Sequence, residues 1–218
     1  MGNIHPVILG LIIVNVLFSL KGFNDSVFFN RFKFHVGAIK AGEKIRMLTS
    51  AFLHADWMHL GFNMYALFLF GKIVLNTMGI PHFFIIYFGS LLAGSLYSFN
   101  RHKETDYYSA VGASGAVSGV VFSAIILYPQ MELIMFPIPI PLPGYVFGIG
   151  YLLYSIYGMK TQLGNVGHSA HLGGAIGGYV LTILFRPYVF QQNMTLLLIM
   201  GAIIGGLLLF GDKLKLNP

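Results

Sequence analysis

The chain has 218 residues, of which 56% are hydrophobic and only 9% charged, against about 25% charged in a soluble domain, so a water-soluble globule is excluded and one unit lying almost wholly in a membrane is indicated. The net charge of +6 falls in loops, with no basic stripe interleaved with stacking aromatics, so it suits anionic lipid head groups and not nucleic acid. Cysteine is absent, which removes disulfides, thiolate nucleophiles and thiolate metal sites.

A helix that crosses a bilayer core needs about 20 mostly apolar residues. Seven segments of that kind run over 6–20, 57–76, 81–99, 112–128, 143–159, 167–186 and 193–211. Their apolar runs are continuous and do not alternate, which argues against membrane strands. The expected fold class is an all-α polytopic membrane protein. The first segment ends near Lys21 and lacks the basic start and small-residue cleavage site of a removable signal. A connection over 22–56 follows, much longer than the others and rich in Phe, Gly and basic residues. Within it, residues 47–53 are too apolar for a solvated loop and too short to span, so a re-entrant or interfacial segment is expected. Pro81 suits the first turn of the third helix. Pro137, Pro139, Pro141 and Pro143 mark an extended connection, because proline at every second position cannot be helix interior.

Helices two, four and six run in the same direction, so their N-terminal ends share one side of the membrane. His59, Ser114 and His171 stand near those ends, roughly 5–10 Å inside at 1.5 Å per residue. Helix four carries Gly115 and Gly119; helix six carries Gly173, Gly174, Gly177 and Gly178. Small-residue faces of this spacing let two backbones approach closely in lipid. Where those faces meet, Ser114 and His171 come within reach. Gly177, Gly178, Gly201 and Gly205 are read as packing positions.

An ionisable imidazole inside a membrane is costly and usually faces a cavity or a partner. A serine hydroxyl is a weak nucleophile until a base takes its proton. His171 can take that proton and later return it to a leaving amine. Asn63 lies four residues after His59, on the same helix face about 6 Å away. Their side-chain N–H groups, with the Ser114 backbone N–H, are suitable donors to an oxyanion. No carboxylate lies in helix four or six, so the pair would act as a dyad. Each residue also has a plainer reading. Ser114 packs helices; His171 makes a structural hydrogen bond; His59 and Asn63 bridge helices. His54 and His168, nearer the interface, take wet structural roles, and Asp56 is a solvated loop carboxylate. A rival function is a metal-ion transporter or channel lined by His54, His59, His168 and His171. The chain has no carboxylate ring and no HExxH helix, so no metal and no cofactor is expected.

At these residues the sequence resembles the rhomboid family of intramembrane serine proteases. Gly112-Ala113-Ser114-Gly115 matches its GxSG nucleophile motif, Ala170-His171-Leu172-Gly173-Gly174 its histidine motif, and His59-Leu60-Gly61-Phe62-Asn63 its HxxxN motif. His54 stands five residues before His59, as in many members. The resemblance implies a six-helix catalytic core over 1–186, with its long first loop at 22–56. An extra C-terminal transmembrane helix and short tail would follow over 187–218. It implies Ser114 as nucleophile, His171 as general base, and His59 with Asn63 in the oxyanion hole. His54, Gly112, Gly115 and His168 would be in support. It also implies a water-filled cavity open to the non-cytoplasmic side, and single-pass membrane proteins in the bilayer as substrates. A third alternative is an inactive relative that binds transmembrane helices, which the intact Ser114 and His171 argue against.

Two departures stand out. Ile45-Arg46 replaces the family's Trp-Arg pair, which predicts a looser loop anchor. Ser118 stands where some members have a tyrosine stacked on the base, which predicts a less supported histidine. The charge bias opposes the family's orientation, since Lys21, Arg31, Lys33, Lys40, Lys44, Arg46, Arg101, Lys103, Lys160, Lys213 and Lys215 would lie outside and only Lys72 and Arg186 inside. The motifs are more specific than the charge bias, so the family orientation is the expectation. A short chain without a targeting extension suggests a bacterial inner membrane.

Overall fold

A computed structural model describes residues 4–135, 138–161 and 167–210. Pro137, Lys213, Lys215 and the rest of the tail lie outside the described residues. Every expected apolar segment contains a helix. Helix α1 spans Pro6–Asn24, with proline in its first turn and the His5 side chain accepting the Val7 N–H. The second and third expected helices form α5, Trp57–His102, interrupted only at Gly79 (φ 79°, ψ 168°). Glycine enters that region without a steric penalty, and Pro81 restarts the helix where its missing N–H is harmless. The Thr77 carbonyl accepts from Arg186 beyond the end of α8 (His168–Phe185). Ser98 bonds Ser169 at the start of α8. The two halves of α5 therefore run in opposite directions.

Helix α6, Ser114–Leu127, is the centre of the bundle. Its 14 residues measure about 21 Å at 1.5 Å per residue, less than the roughly 30 Å of a hydrocarbon core. Every residue from Gly115 to Leu127 is buried by protein, as expected of a helix apolar all round. A helix enclosed by its neighbours need not reach both membrane surfaces, so Ser114 can begin it below the surface. Glycine makes the enclosure tight. A β-carbon on Gly174 would fall on the Gly115 carbonyl, and one on Gly178 on the Gly119 carbonyl. The second half of α5 closes the third side: Ser90 fills the space over Gly119, and a β-carbon on Gly94 would stand 2.6 Å from the Ala170 carbonyl oxygen. Gly201 approaches the Tyr179 hydroxyl, but Gly205, expected at a packing face, faces open space.

Helix α7 spans Gly144–Thr161. Helix α9 spans Val189–Phe210, starts earlier than the apolar pattern suggests, and is kinked at Asn193. The proline-rich stretch forms one arm of a hairpin: β3 (Glu132–Met135) pairs antiparallel with β4 (Ile138–Pro143). A two-stranded ribbon has free edges, and edges tolerate proline.

The 22–56 connection is folded. It contains α2 (Ser26–Phe32), β1 (Phe34–His35), α3 (Val36–Lys40), α4 (Arg46–Thr49) and a 3₁₀ turn, Ser50–Phe52. Strand β1 pairs with β2 (Ser109–Ala110), just before the nucleophile motif. Arg46 is buried; its Nη1 donates to the Asn30 and Lys33 carbonyls and its Nη2 pairs with Glu43 at 2.7 Å. Of the pair at 45–46 the arginine holds the loop, while Ile45 is 60% exposed; Thr49 Oγ1 adds a bond to the Phe32 carbonyl. Residues 47–53 become short helical turns with Ser50, Ala51 and Leu53 buried among α1, α5 and α6. Irregular backbone is tolerated there because protein covers it.

Candidate active site

Ser114 is the first residue of α6 and follows a glycine in an unusual conformation. Gly112 has φ +128°, a region that side-chain-bearing residues avoid. A β-carbon there would also stand 2.7 Å from His59 Nε2 and 3.6 Å from Ser114 Oγ. The His59 ring and the Ser114 hydroxyl therefore both border the face that Gly112 leaves bare.

The turn before Ser114 is pinned from the long loop. The Gly112 N–H donates to the Ser50 carbonyl (3.0 Å). The Ala113 N–H donates to His54 Nε2 (3.3 Å). Since Nε2 accepts, the neutral His54 ring carries its proton on Nδ1. Nδ1 then donates to Ser19 Oγ on α1 (2.8 Å), and the Ser19 hydroxyl donates to the Phe52 carbonyl (3.1 Å). His54 is fully buried, and burial depresses its pKa to about 3. The expected wet interfacial role is thus corrected: His54 is a dry, neutral clamp on the turn before Ser114, buried because the loop folds down over α1. His168 is likewise buried, packed edge-on against Tyr154 and His171 with ring centroids 5.2 and 6.3 Å away.

Asp56 is not merely a solvated carboxylate. It caps the start of α5 by accepting the His59 N–H at 2.7 Å, as helix N-caps do. His59 Nδ1 accepts from the Ala55 N–H (3.5 Å), which leaves the Nε2 proton directed toward Gly112. Asn63 is buried and donates one amide hydrogen to the His59 carbonyl (2.9 Å). An amide nitrogen has two hydrogens, so one remains for the cavity.

His59, Asn63, Ser114 and His171 line one cavity of about 980 Å³. Among the described residues, no hydrogen bond joins the Ser114 hydroxyl to the His171 imidazole. Such contacts are often long in an empty site and tighten around a substrate. Gly115 sits where α6 meets α8, with the Ala170 carbonyl 3.3 Å from where its β-carbon would lie. The four histidines of the rival metal path pair as His54 with His59 and His168 with His171. Among the described residues, no three His, Asp or Glu side chains converge on a point.

The sequence reading missed one neighbour of the candidate base. Tyr151 of α7 lies against His171 with ring centroids 6.1 Å apart and planes at 21°. Its hydroxyl bonds Ser118 Oγ at 2.7 Å. The available signal was Ser118 itself, a hydroxyl in the middle of a buried apolar helix that needs a partner.

The fold and this half-open cavity, lined by polar groups among many apolar side chains, define a polytopic helical membrane protein with a built site between its helices. The family model of the Rhomboid domain matches residues 41–188, and the chain belongs to the rhomboid family. It is 34% identical over 149 residues to Rhomboid protein 1, mitochondrial, of Saccharomyces cerevisiae, covering 67% of this chain and 42% of that protein. It is 30% identical over 189 residues to RHOMBOID-like protein 12, mitochondrial, of Arabidopsis thaliana (78% and 56% covered). It is 29% identical over 176 residues to Rhomboid protease GluP of Bacillus subtilis (79% and 33% covered). The matched regions thus span about half or less of these relatives' lengths. The chain is an integral membrane protein, and its medium is the lipid bilayer.

Proposed function

We propose that this chain is an intramembrane serine endopeptidase acting on transmembrane segments of single-pass membrane proteins. The observation that carries the reading is that Ser114, His171, His59 and Asn63, from three helices, line one cavity. In this reading Ser114 Oγ attacks the scissile carbonyl carbon while the His171 imidazole takes its proton. The oxyanion is met by His59 Nε2–H, the free Asn63 N–H and the Ser114 backbone N–H, and loss of one such donor typically lowers the rate about 10²–10³-fold. His171 returns its proton to the leaving amine, then activates a water that releases the acyl group from Ser114. Substrates with weakened helix near the cleavage point are favoured, because a regular helix keeps its carbonyls bonded.

Residues 1–186 form the proposed catalytic core, and 187–218 an appended helix and tail. The proposed home is a bacterial inner (cell) membrane; the relatives named mitochondrial point to a mitochondrial membrane instead, and cell fractionation decides between the two. The unbonded Ser114 and His171 favour one second reading, an inactive relative that holds transmembrane helices.

Purified protein, reconstituted with a labelled single-span substrate, separates these readings. Ser114→Ala abolishes cleavage and fluorophosphonate labelling while the helical signal is unchanged. Cleavage undiminished in the alanine variant removes the assignment; a parent chain that neither cleaves nor labels establishes the inactive reading.

A further inference from the structure

We propose that Tyr151, on α7, is a positioning residue for the His171 imidazole, held in place by its hydrogen bond to Ser118; this rests on the protease reading above. The rings of Tyr151 and His171 are offset and close to parallel, at 6.1 Å and 21°, within the range of favourable ring pairs. The tyrosine is fixed at both ends. Its hydroxyl meets Ser118 Oγ at 2.7 Å, and its ring packs against Phe122 of α6 and Phe147 of α7, at 5.7 and 5.9 Å. Ser118 stands one helical turn after Ser114, on the same face of α6. One turn of α6 thus carries both the nucleophile and the anchor of the ring that confines the base.

The arrangement answers a need created by the sequence. Among the described residues no carboxylate orients His171, and its imidazole has no hydrogen-bond partner. The rings of Tyr151 and His168 flank it. A base free to rotate loses alignment with the hydroxyl, and a misplacement of 1 Å can cost about a hundredfold in rate. Helix α6 cannot supply an aromatic ring at 118, where the residue is serine. Helix α7 brings the ring from the other side, and Ser118 fixes its height. The base is then supported from a different helix than the one bearing the nucleophile.

The test is the rate at which a fluorophosphonate labels Ser114 in detergent-solubilised full-length chain, which reports activation without substrate entry. Ser114→Ala is the blank. A parent chain that labels no faster than this blank defeats the protease reading itself. If the parent labels, Tyr151→Leu is expected to slow labelling about ten- to a hundredfold, measured at a temperature where the variant keeps the parental helical signal. Tyr151→Phe keeps the ring and loses one hydrogen bond, so it slows at most about fivefold, as does Ser118→Ala. In peptide cleavage the Tyr151→Leu loss falls on kcat and leaves KM in place. Labelling of Tyr151→Leu at the parental rate overturns the inference. If Tyr151→Leu proves unstable, Ser118→Tyr combined with Tyr151→Ala decides. A ring restored from α6 that recovers labelling over Tyr151→Ala alone upholds the positioning role, and no recovery overturns it.

Discussion

His54 shows how a single buried group ties the turn before Ser114 to acidity. Its Nε2 accepts the Ala113 N–H, so a proton added there would face another donor. Burial, with a smaller contribution from the neighbouring His59 ring, holds its pKa at about 3 against an ordinary 6.5. In the unfolded chain the ring titrates near 6.5, so between pH 6.5 and 3 the unfolded state binds the extra proton. The folded state is therefore favoured above pH 6.5 and loses that advantage as pH falls toward 3. Thermal melts of detergent-solubilised protein should show the midpoint falling over that window. His54→Gln, which cannot titrate, should flatten the curve and lower the midpoint at pH 7. Parallel curves for the two proteins would remove His54 from the acid response. The residue count between His54 and His59 pointed to this position, but not to its role: the partners Ser19 and Ala113 are 35 and 59 residues away. No local pattern carries such a contact.

The contact between α6 and α8 is the element-scale counterpart, and here the pattern was sufficient. Glycines four residues apart on each helix mark faces that meet at the closest backbone approach available. Gly115 meets Gly174, and Gly119 meets Gly178. Gly174→Ala drives its β-carbon into the Gly115 carbonyl. Backbone cannot rotate aside as a side chain would, so the helices must part, at a cost of about 1–3 kcal/mol typical of overpacking. Because Gly115 adjoins Ser114, the same change should reduce labelling of the serine. Gly205→Ala is the matched control, since nothing lies within 4 Å of its would-be β-carbon. A lower melting midpoint for Gly174→Ala and an unchanged one for Gly205→Ala is the expected pair. Equal behaviour of the two would mean that the tight face does not set stability. By contrast, the placing of Tyr151 was illegible, because it depends on the rotation of α7 about its own axis. That helix is apolar on most sides, and its sequence does not choose a face.

At the scale of the whole molecule, the order of apolar segments located the long helices and put His59, Ser114 and His171 at one end of the bundle, where they line one cavity, but it missed the short helices of the 22–56 connection. The loop that closes over the site was not legible, because its α2, β1 and α3 are short and held by tertiary contacts. That folded loop bears on orientation. Several of its basic groups serve the fold and are not a free charge label: Arg46 is buried against Glu43, and Lys40 pairs with Asp106 across the connection to α6. The topology signal of lysines and arginines is counted over short loops, and long loops translocate largely regardless of charge, so the basic residues of the 22–56 connection are a weaker vote. Hydrolysis, in the proposed reading, also requires that the cavity end face water. The chain has no cysteine, so single introduced thiols report sidedness without background. Tyr107, 84% exposed at the cavity end, and Gln130, exposed beyond the far end of α6, mark opposite faces. In intact cells an impermeant maleimide should label Tyr107→Cys, and reach Gln130→Cys only after the membrane is opened. The reverse pattern would place the cavity on the cytoplasmic side, and the surplus of positive charge would then have set the topology after all.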